Sequence, residues 1–179
     1  EKEAITKQMQ HLQKLQKNVE HRLNTIHSAF SLPLDEIHLM TLPPRHCHRL
    51  FEGYKHEEEM DFLMKQLINL NQNRLYIIGS NQMGTMISLP SLLKKKTLSY
   101  QSVFLIDEEG ADLIDGGDYL CVTYRGNYEQ SAYWGQQLAQ YAHAHKFKIR
   151  GDLLEILWID IHTTSDESEY ITQLQLPIA

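Results

Sequence analysis

The chain has 179 residues, of which 42% are hydrophobic and 22% are charged, and its formal net charge is −6. This size and composition are ordinary for one globular domain with an appendage. The negative charge argues against this chain gripping nucleic acid itself, and no apolar run approaches the ~20 residues of a membrane span. Cys47 and Cys121 lie far apart without CxxC spacing, which predicts a reduced, cytoplasmic protein.

The first thirty residues have the pattern of a long amphipathic helix. Seam residues recur in alternating steps of four and three, as at the a and d positions of a coiled coil, at Ile5, Met9, Leu12, Gln16, Val19, Leu23, Ile26 and Phe30. The alternative is a helix packed on its own domain, but a narrow seam of nearly four heptads favours a partner helix. We therefore expect residues 1–32 to be a coiled-coil dimerisation helix that forms a homodimer through residues 1–30, and 33–179 to be a separate domain.

Beyond Pro33 a pattern of strands and a helix occurs twice. In each half a turn containing Gly and Tyr precedes the helix: FEGY comes before the first and YRGNY before the second. We predict helices at about 56–71 and 128–146, an extended segment at 36–54, and strands at about 74–80, 83–89, 100–106 and 119–124 and in a final pair after residue 151. Two such halves, related by a pseudo-twofold axis, would leave a cleft between them.

The final strand pair contains a carboxylate in an apolar row. Glu155 shares one strand face with Leu153, Leu157, Ile159 and Ile161, whereas the opposite row begins and ends with polar residues. We therefore predict that the Glu155 row is the buried one. Burying a carboxylate without a partner costs roughly several kcal/mol, and 151–179 contains no Lys or Arg. Either Glu155 reaches the surface or pairs with a distant Arg, or its partner is a ligand.

Three segments carry a resemblance to a known family: GGDYLCVTYRGNY, QQLAQYAHAHKF and DLLEILWIDIHTTSDESEYITQLQLPI. The chain resembles the dimerisation helix and effector-binding domain of MerR-family, BmrR-like multidrug-responsive transcription regulators, whose sensor belongs to the gyrase-inhibitor-like superfamily. The resemblance covers essentially the whole chain. It implies an α+β fold in which a long N-terminal coiled-coil helix is followed by a twofold-repeated antiparallel sheet with helices. It also implies a winged-helix DNA-binding domain before Glu1.

The same resemblance implies a function and a site. Relatives are regulators, typically activators of multidrug efflux, that bind lipophilic, often cationic aromatic compounds and contact promoter DNA through the winged-helix domain. The pocket glutamate falls on Glu155, and the pocket aromatics fall on Tyr100, Tyr170, Tyr76 and Phe62. An aromatic expected on the second helix falls on Ser131, which is a departure. Aromatic rings and one carboxylate suit a class of lipophilic cations rather than one shape.

Other kinds of chemistry have less support in the sequence. On a strand, His46 and His48 would point one way and Cys47 the other, and two imidazoles alone make a poor metal site. No HExxH, GxGxxG or P-loop motif occurs, so we expect no metal, no cofactor and no catalytic residue. The alternatives are a gyrase-inhibitor-like hydrolase that uses the pocket glutamate, and a haem- or porphyrin-binding carrier on a similar fold. An attached dimerisation helix favours the regulator.

Overall fold

The computed structural model describes residues 2–54, 56–70, 82–94 and 98–179. Its helices are α1 (Lys2–Phe30), α2 (Glu57–Leu70), α3 (Leu89–Leu93) and α4 (Gln130–Ala144), with a 3₁₀ turn at Glu167–Glu169. Its strands are β1 (His38–Leu42), β2 (Arg45–Leu50), β3 (Met83–Ile87), β4 (Tyr100–Ile106), β5 (Asp112–Ile114), β6 (Gly117–Arg125), β7 (Leu153–Ile159) and β8 (Ile171–Pro177). The α+β fold predicted from the sequence is confirmed.

The described strands form one antiparallel sheet with the order β1-β6-β8-β7-β3-β4-β2-β5. This order contains the predicted repeat. One half is β2-α2-β3-β4 and the other is β6-α4-β7-β8, and the two halves meet where β3 pairs with β7. The outer strands are exchanged, because β1 precedes β2 but pairs with β6, and β5 precedes β6 but pairs with β2. The pseudo-twofold axis therefore passes between β3 and β7.

The sheet has both faces covered. Helix α2 packs on β2 and β4, and α4 packs on β6 and β8, so one face lies under the helices. On the other face the sheet curls on itself, and side chains of distant strands meet in an interior cluster. This cluster, here called the curl cluster, contains Cys47, Phe104, Ile114, Tyr119, Cys121, Leu154 and Ile156. The curl explains why strands far apart in the sheet order share one core.

The central strand β7 differs from its prediction. Its residues 153–157 are all buried, so the row opposite Glu155 is as well covered as the Glu155 row. Leu154 and Ile156 belong to the curl cluster, whereas Leu153 and Leu157 pack under the helices. Ile161, which we placed on the buried row, follows the strand and is exposed. Strand alternation located the Glu155 face correctly but could not reveal that the sheet curls over the other face.

Among the described residues, helix α1 contacts the domain through its last turns, from Arg22 to Ala29. Ala29 is fully buried with Ile159 and Ile171, and Ile26 packs against the same cluster. The earlier seam residues Ile5, Met9, Leu12, Val19 and Leu23 are between 51% and 61% exposed. Ile26 therefore differs from the prediction, since it contacts its own domain instead of continuing the exposed seam.

Several boundaries also differ from the sequence prediction. Strand β5 lies in GADLIDGGD, which reads as a turn because it is rich in Gly and Asp. The strand predicted at 83–89 ends at Ile87, and Pro90 in the first turn starts α3 instead. The strand predicted at 74–80 lies outside the described residues. By contrast, β4 has the predicted bounds.

Candidate ligand-binding site

The centre of the candidate site is a buried carboxylate between the two halves. Glu155 of β7 is 1% exposed and is paired across the sheet with Thr85 of β3. The Thr85 hydroxyl donates to Glu155 Oε2 over 2.8 Å, and the Ser131 hydroxyl donates to Oε1. Ser131 in turn is hydrogen-bonded to the Tyr124 hydroxyl, with 2.6 Å between the oxygens. Hydroxyl groups from both halves therefore hold the carboxylate in place.

The position of Ser131 adds a second stabilising effect. Ser131 is the second residue of α4, so the Glu155 carboxylate lies at the first turn of that helix. The positive end of a helix dipole favours a nearby negative charge by about 0.3–1 kcal/mol, and by more in buried geometries. The site thus suits an ionised carboxylate at the centre of the fold.

Two stacked tyrosine pairs flank this carboxylate. The rings of Tyr54 and Tyr100 lie 4.4 Å apart at an interplanar angle of 12°. The rings of Tyr128 and Tyr170 lie 5.3 Å apart at 26°. All four rings pack in the same core cluster under α2. The pairs occupy corresponding places in the two halves. Tyr54 precedes α2 and Tyr128 precedes α4. Tyr100 is the first residue of β4, and Tyr170 directly precedes β8.

The glycines of FEGY and YRGNY position these tyrosines. A Cβ on Gly53 would lie 3.0 Å from the carbonyl oxygen of Tyr100, so a side chain here would push the two backbones slightly apart. Gly126 has a φ of 116° and donates its amide hydrogen to the carbonyl of Tyr170 over 2.9 Å. The turn at Gly53 therefore lies against Tyr100, whose ring stacks on Tyr54. The turn at Gly126 lies against Tyr170, whose ring stacks on Tyr128.

Tyr54 is electrostatically close to Glu155. Burial raises the pKa of Tyr54, and the Glu155 carboxylate raises this pKa further because it opposes a second negative charge. The Tyr54 hydroxyl is buried and makes no well-aligned hydrogen bond with the part of the chain that the structure describes. It therefore stays protonated, as a neutral donor beside the carboxylate.

A groove of about 400 Å³ lies outside the Tyr54 ring. Its lining consists of Glu52, Gly53, Tyr54, Glu59, Phe62 and Leu63. Phe62 is 66% exposed, so its ring lies at this groove and outside the buried core. The groove thus combines two acidic residues with two aromatic rings, and Tyr54 separates it from Glu155.

The structure therefore places the predicted site residues in two locations. Glu155, Tyr100 and Tyr170 come together at the centre of the fold, and Phe62 lies at the outer groove. Tyr76 lies outside the described residues. Sequence reasoning missed Tyr54, Thr85 and the hydroxyl role of Ser131. The repeated Gly-Tyr turn could have identified Tyr54, because the second copy of that turn supplies Tyr128.

The loop after β7 connects the site with two helices. Asp160 is 1% exposed, lies 3.8 Å from Arg22 of α1, and follows Ile159 at the end of the strand that carries Glu155. Arg22 also donates a hydrogen bond to Thr163. His162 lies 3.7 Å from Asp61 of α2. One short loop therefore contacts α1 and α2 and leads on to Tyr170.

Other chemistry has little support in the described ranges. No group of three or more His, Cys, Asp and Glu residues in those ranges could hold a metal ion. His48 pairs with Asp107 at 3.3 Å, and His46 Nδ1 lies 3.2 Å from the Gly110 carbonyl. Among the helices described, none is long and apolar enough to cross a membrane.

Comparison with solved structures supports the class of fold: an antiparallel sheet with helices, preceded by a long helix, as the sequence predicted. The EcmrR–DNA complex in EcmrR-RPo superposes with a TM-score of 0.61 at 14% identity, over 98% of this chain and 68% of the EcmrR chain. The EcmrR C-terminal domain gives 0.61 at 14% identity, over 80% of this chain and 97% of that domain.

A third similar structure is an uncharacterized conserved protein from Listeria innocua. It has a TM-score of 0.52 at 12% identity, over 85% of this chain and 96% of that protein. No protein-family model matches the sequence, and no curated protein matches it either. At these identities the comparisons establish the fold, and the function rests on the geometry of the site.

Proposed function

We propose that this chain is the ligand-sensing and dimerisation part of a MerR-type transcription regulator, an activator of multidrug efflux whose effectors are lipophilic, cationic aromatic compounds. The observation that carries the proposal is the Glu155 carboxylate, 1% exposed, hydrogen-bonded by Thr85 and Ser131 and flanked by two stacked tyrosine pairs. The likeness to EcmrR in complex with DNA supports the regulatory role.

The charge distribution favours a cation. Glu155 supplies a negative charge inside an apolar cluster, where the low dielectric strengthens its attraction for a cation that reaches it. Glu52 and Glu59 line the outer groove and would attract the same charge at the entrance. Each tyrosine face adds cation–π attraction of about 0.5–2 kcal/mol. All three contributions select for positive charge on an aromatic or otherwise lipophilic body.

The core under α2 can adapt to ligands of different shape. Three methionines, Met60, Met64 and Met83, pack with Leu63 and Leu67 against the tyrosine pairs. Methionine is unbranched and polarisable, so it repacks at low cost around a new surface. We propose that a ligand enters from the groove at Phe62, displaces Tyr54 from its stack on Tyr100 and then reaches Glu155. Such a rearrangement would move α2 relative to the sheet.

The loop after β7 provides a route from this site to α1. Arg22 of α1 contacts Asp160 and Thr163, and His162 contacts Asp61 on α2. A shift of α2 or β7 would therefore move the last turns of α1. The exposed seam from Ile5 to Leu23 would pair with the same seam of a second chain, because apolar side chains at heptad spacing are buried by a partner helix. DNA would be contacted through a winged-helix domain before α1.

Fluorescence titration tests the proposal directly. The ligands are a quaternary ammonium aromatic dye and a neutral dye of the same size and shape. We expect saturable binding of the cationic dye that is tighter than that of the neutral one, and recovery of the dye unchanged after dissociation. Equal affinity for both dyes would contradict the cation-sensing role. Chemical conversion of the dye would support the hydrolase alternative.

A further inference from the structure

A second polar site lies on the face of the sheet opposite Glu155, inside the curl. Adjacent residues of β3 and β7 alternate between the two sites: Thr85 and Glu155 face the helices, whereas Met86 and Leu154 line a cavity of about 190 Å³ on the other face. Arg49, Tyr119 and Arg150 are also part of its lining. The two sites therefore share a strand pair but no lining residue.

Two arginines of β2 point into the curl. Arg45 is paired with Ile114 and Arg49 with Phe104, and both of these partners belong to the curl cluster. Directly paired residues share a face of the sheet, so both guanidinium groups lie on the inner side. The Arg45 guanidinium carbon lies 5.8 Å from the centre of the Tyr119 ring, at the wall of the cavity.

These guanidinium groups have buried N–H groups that find no acceptor among the described residues. The Nε and Nη2 of Arg45 and the Nε of Arg49 are buried and hydrogen-bond to no described residue. Neither guanidinium has a described carboxylate oxygen within 4 Å. Arg45 and Arg49 are half-buried, but a buried N–H group without an acceptor is costly, so native proteins almost always provide one. An anion in the cavity would fulfil that role for Arg49, which lines it.

The nearby carboxylates are engaged with backbone amides or exposed, and they form no ion pair with Arg45 or Arg49 among the described residues. Asp112 Oδ2 accepts the backbone amide of Arg49 over 3.1 Å. Asp152, in the cavity lining, accepts the amide of Leu89 over 2.8 Å, and Asp115, also in the lining, is exposed. Burial raises the pKa of the Cys47 thiol and raises that of Cys121 to about 12, so both thiols stay neutral at physiological pH.

A third arginine is fixed at the cavity. Arg150 Nε donates to the carbonyl of Ile178 over 2.6 Å, and its Nη2 lies against Gly117, where an added Cβ would come within 2.6 Å. Gly117 has a φ of 133°, which favours glycine, and the Arg150 guanidinium lies over its open face. Arg49 lies on β2 and Arg150 lies shortly before β7. Both line the same cavity, so one small ligand can contact both.

We infer that this cavity binds a small oxyanion, a carboxylate or phosphate compound, through Arg49 and Arg150, with Arg45 adding positive charge behind Tyr119. The planar guanidinium fork matches the geometry of carboxylate and phosphate oxygens. A volume of about 190 Å³ admits a compound of few heavy atoms and excludes the lipophilic effectors proposed for the Glu155 site. The site shares no lining residue with the Glu155 site, so this inference is independent of the proposed function.

The test uses the wild-type chain and three probes: inorganic phosphate, acetate and succinate, each added at constant ionic strength against sodium chloride. We expect at least one probe to shift the Nε–Hε NMR signals of Arg49 and Arg150, the two arginines that line the cavity, saturably. Arg125, an exposed arginine over the Phe30 ring, is the internal control and should not respond. Absence of saturation with every probe, or an equal response of Arg125, would overturn the inference.

Variants then assign the binding to the cavity. Arg49→Gln should weaken the best probe by about tenfold or more, the scale of a lost charged hydrogen bond. Lys148→Gln removes the same charge from an exposed side chain and should leave the affinity unchanged. Arg150→Gln removes the charge from the other wall of the cavity, and its affinity for the probe provides the test if Arg49→Gln does not fold. Wild-type affinity in the folded arginine variants would overturn the assignment. The affinities of the wild-type chain for phosphate and for the two carboxylates show which kind of oxyanion the site prefers.

Discussion

Thr85 and Glu155 face each other at the junction of the two halves, with the Thr85 hydroxyl 2.8 Å from the carboxylate. The two residues occupy corresponding strands, β3 and β7, so the pseudo-twofold axis passes between them. One half supplies a charge and the other a neutral hydroxyl at the same place. The repeat is therefore symmetric in backbone and asymmetric in chemistry, which puts a single carboxylate at the centre of the sheet.

The first prediction concerns this hydrogen bond. Thr85→Val keeps the shape of the side chain but removes one donor to a buried carboxylate, so it should lower the free energy of unfolding by about 1–3 kcal/mol. Thr85→Ser retains the hydroxyl and should cost less. Urea unfolding at neutral pH measures both. In Glu155→Gln the Thr85→Val change should cost less than in wild type, and an additive double mutant would show that the two side chains are not coupled.

The second prediction concerns the tyrosine missed from the sequence. Tyr54→Leu removes the ring that stacks on Tyr100 and separates the groove from Glu155, so it should weaken aromatic cations by about 0.5–2 kcal/mol. Tyr54→Phe keeps the ring and should retain most of the affinity. Tyr133, an exposed residue of α4, provides the control Tyr133→Leu. If Tyr54→Leu and Tyr133→Leu bind the cationic dye equally well, Tyr54 takes no part in binding.

The sequence predicted this site only in part. Strand alternation located Glu155 because apolar neighbours on its own row mark a buried face, and the repeated Gly-Tyr turns indicated two related halves. The hydroxyl partners could not be predicted, since Thr85 comes from the opposite half and Ser131 from a helix end, and their approach depends on how the halves pack. Ser131 was treated as a missing aromatic, but in the structure it donates a hydrogen bond to Glu155.

In the fold as well, the sequence predicts features that depend on neighbouring residues and misses those that depend on long-range pairing. The bounds of β4 follow from seven residues of strand pattern, and those of α1 from its periodicity and the following Pro33. The exchange of β1 and β5 between the halves has no local signal, because the pairing partners are distant in sequence, as His38 is from Cys121 and Cys47 is from Asp112. The curl likewise follows from long-range pairing, which is why the burial of Leu154 was not predicted.

The third prediction concerns assembly. We expect a homodimer in which Leu12 and Val19 are buried, so Leu12→Asp with Val19→Asp should give a monomer that remains folded. Ile26 and Ala29 must be kept, because they pack on Ile159 and Ile171 of their own domain. Sedimentation at tens of micromolar, roughly, measures the assembly, and circular dichroism checks the fold. A wild-type monomer, or a dimer that survives both substitutions, would argue against the seam.

The fourth prediction concerns stability at alkaline pH. The folded-state pKa of Cys121 is raised to about 12 from 9.0 by burial, so the folded protein holds this proton more tightly than the unfolded chain does. The stabilisation is complete below pH 9 and is lost as the pH rises toward 12, by at most about 1.4 kcal/mol per pH unit for this group. Urea unfolding at pH 8 and 10.5 should therefore show a smaller loss of stability in Cys121→Ala than in wild type. Equal losses would place the pH dependence elsewhere.

The fifth prediction concerns the link between sensor and helix. Arg22→Met removes the contacts to Asp160 and Thr163 but keeps an apolar stem, and Asp160 retains hydrogen bonds from His162 and Thr163. We expect dye affinity to stay within about twofold, because Glu155 and the tyrosines are untouched. A spin label at an exposed α1 position should respond to saturating dye in wild type and respond less in Arg22→Met. An equal response in both proteins would exclude this route.

The last prediction tests the charge of Glu155 itself. Glu155→Gln keeps the shape of the side chain but removes the negative charge. Its amide oxygen can accept from one of the two hydroxyls of Thr85 and Ser131, and its NH₂ group can donate to the other once that hydroxyl rotates. It should weaken the cationic dye by about 1.5–3 kcal/mol, the scale of a charged hydrogen bond or close ion pair, and affect the neutral dye of the same shape much less. Wild-type affinity for the cation should also fall as acid protonates Glu155, and the variant should lack that part of the pH dependence.

Two measurements make this prediction decisive. Asp152→Asn, a charge loss on the opposite face of the sheet, serves as a matched control and should leave the affinity for both dyes unchanged. Thermal unfolding without ligand shows whether Glu155→Gln is folded. Because the charge is buried and its removal ends a desolvation cost, the variant should be at least as stable as wild type. If a folded Glu155→Gln loses affinity equally for the cationic and the neutral dye, or for neither, Glu155 is a structural residue and the charge sensor must lie elsewhere.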